Sequence, residues 1–212
     1  MDWIALQLCD SAFPMGGFAH SLGLEAAVQL GHVDGEAALL RFVEESLVNA
    51  RSQSLPWARR GAAAIDASAL AEVDRACDPY FGNPVAQRAS ANAGRAFLIA
   101  ARAAFGSLAE VQPPFGHLAP VSGYVMARLG LDARQLAEVQ LFWTMRSILS
   151  AAVRLGRIGP LAAQRLQVGL GPILDRELGH ALVHDESPAS TAPLLELMQM
   201  TQDQLYSRLF QS

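Results

Sequence analysis

The sequence predicts an all-α fold, a single-domain bundle of roughly ten helices with a flexible C-terminal tail, and three observations carry that reading. Apolar residues recur at three- and four-residue intervals through most of the chain, with Ala and Leu dominant. β-Branched alternation over four or more residues is scarce. Asn83-Pro84, Gly159-Pro160 and Gly171-Pro172 each set Pro where a first helical residue tolerates a missing N–H.

Taken in order, periodicity predicts helices over 2–9, 20–30, 35–50, 56–65 and 69–78. Asn83-Pro84 opens a long helix over 84–105, and Gln112-Pro113-Pro114-Phe115-Gly116 marks 106–120 as an interhelical loop. A helix over 120–129 stops at Gly130, and Asp132-Ala-Arg-Gln135 opens the next, 133–157, with capping-box chemistry, so these two form a tightly connected antiparallel pair. The remaining Pro starts give helices over 160–168 and 172–184. Residues 185–193, rich in Ser, Pro and Thr, read as a flexible hinge. The chain therefore divides into a helical domain over 1–186 and a hinge with its tail over 187–212, with no internal repeat and no second domain.

With 212 residues, 51% hydrophobic and 17% charged, the chain can build one sizeable core and is not disordered. All 16 basic residues are Arg. A Lys-dependent phosphate loop, a Schiff-base lysine and a pyridoxal-phosphate anchor are thereby excluded. A net charge of -4 argues against nonspecific nucleic-acid binding. Cys9 and Cys77 sit in no metal or redox spacing, which fits a reduced, cytoplasmic protein. The start Met1-Asp2-Trp3-Ile4 lacks the cations of an export signal, and no apolar run reaches membrane-spanning length.

Apolar residues cover nearly the whole circumference of the 135–157 segment, which makes it the central helix. Its exceptions, Arg146, Ser150, Arg154 and Arg157, fall on one polar stripe. The stripe either pairs with internal acids such as Glu25, Glu44 or Glu45, or faces a bound subunit. Further on, Glu177, His180 and His184 share a helix face at spacings that would let them ligate one metal ion, the arrangement a small helical metal-dependent hydrolase would use. Ala181 stands where a metalloprotease motif has Glu, so no metal site is assigned. His20, His32 and His117 are single and serve packing or capping. No Gly-x-Ser-x-Gly elbow and no Cys–His pairing supports a catalytic triad, and no catalytic residue or cofactor is assigned.

The segment from Asp10 to Glu25 is denser in special residues than a helix–helix corner requires. Asp10 and Ser11 can accept backbone N–H bonds, Pro14 rigidifies a turn, and Gly16-Gly17 allow positive φ or close backbone approach. A tight corner with Phe13 and Phe18 plugged into the core explains most of this, but not the combination with His20 and Glu25.

That segment resembles the signature of the UreF family of urease accessory proteins, through Asp10, Ser11, Pro14, Gly16, Phe18, Ser21, Gly23, Leu24 and Glu25. Further matches follow in order: Arg88-Ala-Ser90 with Gly94-Arg95, Gly123 with Gly130-Leu131, Ser150-Ala-Ala-Val-Arg154-Leu155 with Gly159 and Gln164, and the ending Tyr206-Ser-Arg208-Leu209-Phe210-Gln-Ser212. The resemblance covers the whole chain. It departs at Gln202-Asp203, where the family has His-Glu, and at Ala163-Gln164, where it has Gly-Gln.

The resemblance implies an all-helical, homodimer-forming scaffold without catalysis of its own. It implies partners as well: a UreD/UreH-type accessory protein, the GTPase UreG and apo-urease, in a complex that loads nickel. The absence of Lys agrees, because the nucleotide site must then lie in a partner. The tail carries Leu194, Leu197, Met198, Leu205, Tyr206, Arg208, Leu209 and Phe210, too apolar for an inert end. It either orders against the UreD-type partner or packs back onto its own core. The N-terminal signature and the Arg88–Arg95 helix face are the expected GTPase-facing surface, from which an Arg given in trans would stabilise phosphoryl-transfer charge.

Overall fold

The computed structural model describes residues 2–15, 20–106, 108, 111–184 and 187–210. Among these there is no strand. The helices are α1 (Trp3–Cys9), α2 (Leu24–Gln29), α3 (Gly35–Asn49), α4 (Leu55–Ala63), α5 (Ala67–Cys77), α6 (Pro84–Phe105), α7 (Leu118–Arg128), α8 (Ala133–Arg154), α9 (Pro160–Gly169), α10 (Gly171–Val183) and α11 (Pro193–Met200). A π-helical turn, Ala50–Ser54, joins α3 to α4 without a break, and 3₁₀ turns follow α5 and α11.

Helix α8 is the centre, as its nearly complete apolar circumference predicts. Leu136, Leu141, Trp143, Met145, Ile148 and Leu149 are all buried, and α1, α2, α3, α4, α7, α9 and α10 pack around it. Asp132 and Gln135 cap its start reciprocally, the predicted capping box. Helices α4 and α7 cross with backbones in contact. A Cβ on Gly123 would lie 1.8 Å from the Ala58 carbonyl oxygen, and one on Gly61 would lie 2.0 Å from that of Pro120. Only glycine permits that approach.

Two expectations are corrected. The helix predicted from residue 20 starts at Leu24, because Leu22 and Gly23 take left-handed conformations with φ of 55° and 85°. The two helices predicted over 35–50 and 56–65 form one continuous rod through the π turn. Pro56 has no N–H to give the carbonyl four residues back, which is that of Ser52. That carbonyl accepts Ala189 N–H at 2.9 Å instead, a bond from the stretch read as the hinge. Thr191 N–H reaches Asn49 Oδ1 at 3.1 Å, and the Thr191 and Ser52 hydroxyls pair at 2.9 Å. The chain beyond it turns into α11, a helix within the stretch that the sequence marks only as tail.

The loop before α7 is fixed by one carboxylate. Asp74 on α5, fully buried, accepts the N–H groups of Phe115, Gly116 and His117 at 2.7–2.9 Å. His117 is likewise fully buried, stacked between Phe81 and Phe115, with Nε2 3.0 Å from Asp78. It serves the packing role expected of it.

Candidate functional site: the tail and the surface it docks on

The tail folds back onto the bundle and converges on a residue of the N-terminal motif. Ser21 Oγ accepts Glu25 N–H at 3.3 Å at the start of α2, and Glu25 is 2% exposed. A carboxylate that deep requires donors. Its Oε1 accepts Leu209 N–H at 2.6 Å, and its Oε2 accepts Phe210 N–H at 3.0 Å and the Gln202 side-chain amide at 2.6 Å. Gln202 Nε2 also reaches the Phe210 carbonyl at 3.2 Å and closes the loop between tail and carboxylate. The Phe210 ring is buried, and the Arg154 guanidinium lies over it at 4.3 Å from the centroid.

A second, exposed cluster lies outside the first. Asp203 accepts from Arg88 of α6 and from Arg208, the latter at 3.0 Å, while Gln29 Nε2 donates to the Ser207 carbonyl at 2.9 Å. On the bundle side, Asn83 does two jobs. Its Oδ1 caps α6 through Val85 and Ala86, and its Nδ2 holds the Glu196 carbonyl of α11 at 3.1 Å. The outward face left by these contacts is apolar: Tyr206 is wholly exposed, and Leu194, Leu197 and Leu209 are at least half exposed.

The structure therefore brings Ser21, Glu25, Arg154, Leu209 and Phe210 together, with Arg88 and Arg208 bridged beside them. Tyr206 stands outward from the same segment. The rest of the motif lies elsewhere. Asp10 ends α1, its Oδ1 accepting Ala12 N–H at 2.8 Å, and Ser11 and Pro14 are exposed in the turn that follows. Phe13 plugs the core against Phe97 and Phe105, as predicted, while Gly16 and Phe18 lie outside the described residues. His20 is buried, and burial holds its pKa below the ordinary imidazole value. Arg95 is committed to the loop before α7, donating to the Phe115 carbonyl at 2.8 Å and to Asn92 at 2.6 Å.

Two arginines of the α8 stripe are engaged within their own chain. Arg146 donates to the Cys9 carbonyl at the end of α1 and lies over Phe142, and Arg154 covers Phe210. Glu44, one of the acids considered for the stripe, pairs with Arg176 of α10 at 2.9 Å. Within the chain, Arg146 thus caps a helix end, and both arginines stack on rings. Glu177 also has its carboxylate filled. Arg51 Nε donates to its Oε2 at 2.8 Å and Arg176 Nε to its Oε1 at 2.9 Å, and Arg51 stands 3.1 Å from His180 Nδ1. His180 and His184 rings lie 4.4 Å apart, but a guanidinium between carboxylate and imidazole repels a cation. Among the described residues no three His, Cys, Asp or Glu side chains are grouped to hold a metal. The geometry gives the hydrolase alternative no support. Burial pushes the thiols up to about 11 for Cys9 and about 12 for Cys77, so neither is a thiolate nucleophile near neutral pH.

Sequence reasoning missed Asn83, Gln202, Asn49 and Ser52 as anchors of the tail. Asn83 was legible only as a helix cap, and Gln202 only as a departure from a family pattern. The bonds of Asn83, Asn49 and Ser52 to the tail, and of Gln202 to Glu25, each span more than a hundred residues of sequence.

Fold and site together define a class: an all-helical protein whose distinctive surface is its own C-terminal tail, docked on its N-terminal motif. The UreF family model matches residues 33–171. Among curated relatives, urease accessory protein F of Oryza sativa subsp. indica is 35% identical over 98% of this chain and 84% of its own length. That of Arabidopsis thaliana is 33% identical over 99% and 92%, and the UreF of Pseudomonas paraeruginosa is 30% identical over 99% and 98%. This chain belongs to the UreF family of urease accessory proteins.

Proposed function

We propose that this chain is a non-catalytic member of the urease-maturation machinery, a cytoplasmic homodimer that bridges a UreD/UreH-type protein and the GTPase UreG while nickel is inserted into apo-urease. The observation that carries the reading is the docked tail. Glu25, Gln202 and Asn83 fix its inner side, and its outer side offers Tyr206, Leu209 and Arg208, residue types that suit a contact surface. In this reading the UreD-type partner binds the tail's outer face, Glu25 acts from beneath by holding the Leu209 and Phe210 N–H groups, and Arg154 covers the Phe210 ring. Asp10, Ser11, Pro14, His20 and Ser21, with Gly16 and Phe18 of the same motif, belong to the GTPase-facing side with Arg88 and Arg95. For either arginine to reach a nucleotide it must first leave its partner, Asp203 for Arg88 and the Phe115 carbonyl for Arg95.

The test is co-expression of urease subunits with UreD and UreG, with and without this chain, reading nickel bound to urease. Nickel should rise only when the chain is present. Removing residues 200–212 should abolish capture of UreD, and retention of capture would retire the tail reading. Arg88→Ala and Arg95→Ala, assayed for GTP hydrolysis by the assembled complex, decide the arginine role; unchanged rates end it.

A further inference from the structure

Beneath the docked tail lies a cavity of about 220 Å³, walled by the π turn, α4, α6 and α8 and roofed by α11 through Leu195, Glu196 and Gln199. In size it falls between the ~150 Å³ that holds benzene and the roughly 300–1,000 Å³ of drug-sized pockets. An occupant of about six to nine non-hydrogen atoms fits that space.

Charge decides the kind of occupant. Glu196 brings the one carboxylate among the described lining residues, and no arginine accompanies it. Asn83 holds the Glu196 backbone carbonyl, but the half-buried carboxylate has no hydrogen bond or ion pair among the described residues. Glu25 and Glu177, by contrast, have theirs filled. The place of Glu196 in the first turn of α11 offsets part of its charge, and the rest calls for a cation. Neither His20 nor Cys77 of the wall supplies one. Burial holds the His20 imidazole below its ordinary pKa and pushes the Cys77 thiol up to about 12, so both are neutral near neutral pH.

A metal ion is poorly matched to this wall. A hard cation exchanges its water for several oxygen ligands, and among the described residues no three His, Cys, Asp or Glu side chains are grouped to hold a metal. The remaining wall suits a weakly hydrated organic cation, because Trp57, Tyr80, Phe81 and Trp143 line it and aromatic rings attract such ions through their quadrupole. The Arg60 guanidinium, which does not line the cavity, already takes the Trp57 ring at 4.6 Å and leaves the other three.

We propose that this cavity is a binding site for a small organic ammonium ion, with the Glu196 carboxylate as its counter-charge and Tyr80, Phe81 and Trp143 as its aromatic partners. Glu196 belongs to the tail and the rings belong to the bundle, so the bound cation ties one to the other, and tail docking and binding reinforce each other. The inference does not rest on the role proposed in urease maturation.

Choline and its uncharged isostere 3,3-dimethylbutan-1-ol are the probes, titrated calorimetrically into the full-length chain at neutral pH. Choline should bind saturably and about tenfold or more tighter than the alcohol, and its N-methyl proton signals should move upfield under the ring currents. Glu196→Gln, checked for folding by circular dichroism, should weaken choline about tenfold and leave the alcohol unchanged. Saturating choline should also slow amide exchange over residues 193–200. The proposal is overturned by no saturable binding of choline, by binding of the alcohol as tight as that of choline, by unmoved N-methyl signals at saturation, or by undiminished choline affinity in Glu196→Gln. The comparison of choline with the alcohol on the unmodified chain keeps the test decisive even where the variant does not fold.

Discussion

Glu25 is a buried charge whose compensation comes from 177 to 185 residues away along the chain. Replacing it by Ala leaves two backbone N–H groups and an amide without their acceptor, a loss of about 2–4 kcal/mol to tail docking. Amide exchange of residues 205–210 should accelerate in Glu25→Ala while α8 stays protected; unchanged protection would sink the assignment. Glu25→Gln should loosen the tail as well, because one oxygen becomes a donor facing donors. His20 carries a pH dependence of known sign. Burial lowers its folded-state pKa, so its contribution to stability is present above the unfolded value, about 6.5, and is lost as pH falls through the lower folded value. Urea midpoints should therefore drop below about pH 6.5, and His20→Gln should flatten that slope. A slope identical in the two proteins would show that other groups govern it. The motif's density was visible in sequence, but the partner of Glu25 was not, since hydrogen bonds between residues so distant leave no local pattern.

Among the helices, identity was local and contact was not. Pro84, Pro160 and the Asp132–Gln135 box start helices where the sequence places them, because they suit the unsatisfied N–H groups of a first turn. The π turn escaped sequence reading. Periodicity placed a separate helix start at residue 56, whereas the structure carries the helix through Pro56 and gives the orphaned Ser52 carbonyl to the hinge. Glycines divide in the same manner. Gly123 at the α4–α7 crossing has no room for a methyl group, so Gly123→Ala should destabilise by about 3 kcal/mol or more. At Gly179 in α10 a Cβ would meet nothing within 4 Å, and Gly179→Ala should stabilise by about 0.5–1 kcal/mol. Chemical denaturation followed by circular dichroism measures both, and equal effects would refute the crossing as the reason for Gly123.

For the molecule entire, the tail's attachment combines a buried latch with exposed ion pairs. Arg88 and Asp203 are 55% and 42% exposed in their side chains, a geometry worth about 0–1 kcal/mol and screened by salt. The Glu25 cluster is buried and escapes that screening. Tail protection in hydrogen exchange should accordingly survive about 0.5 M NaCl, and a salt-induced release would transfer the anchoring role to Asp203. The all-α class, the central place of α8, the helix starts marked by Pro84, Pro160 and the Asp132–Gln135 box and the family follow from amino-acid order alone, because periodicity, caps and motif order are written in neighbouring residues. Three outcomes waited on the packed chain: Arg146 and Arg154 turn to their own backbone and rings, Glu177 is spent on guanidiniums, and the hinge and tail make hydrogen bonds back to the bundle. Each is a pairing of polar or aromatic groups brought close by packing, and packing geometry, not local spacing, sets which donor reaches which acceptor.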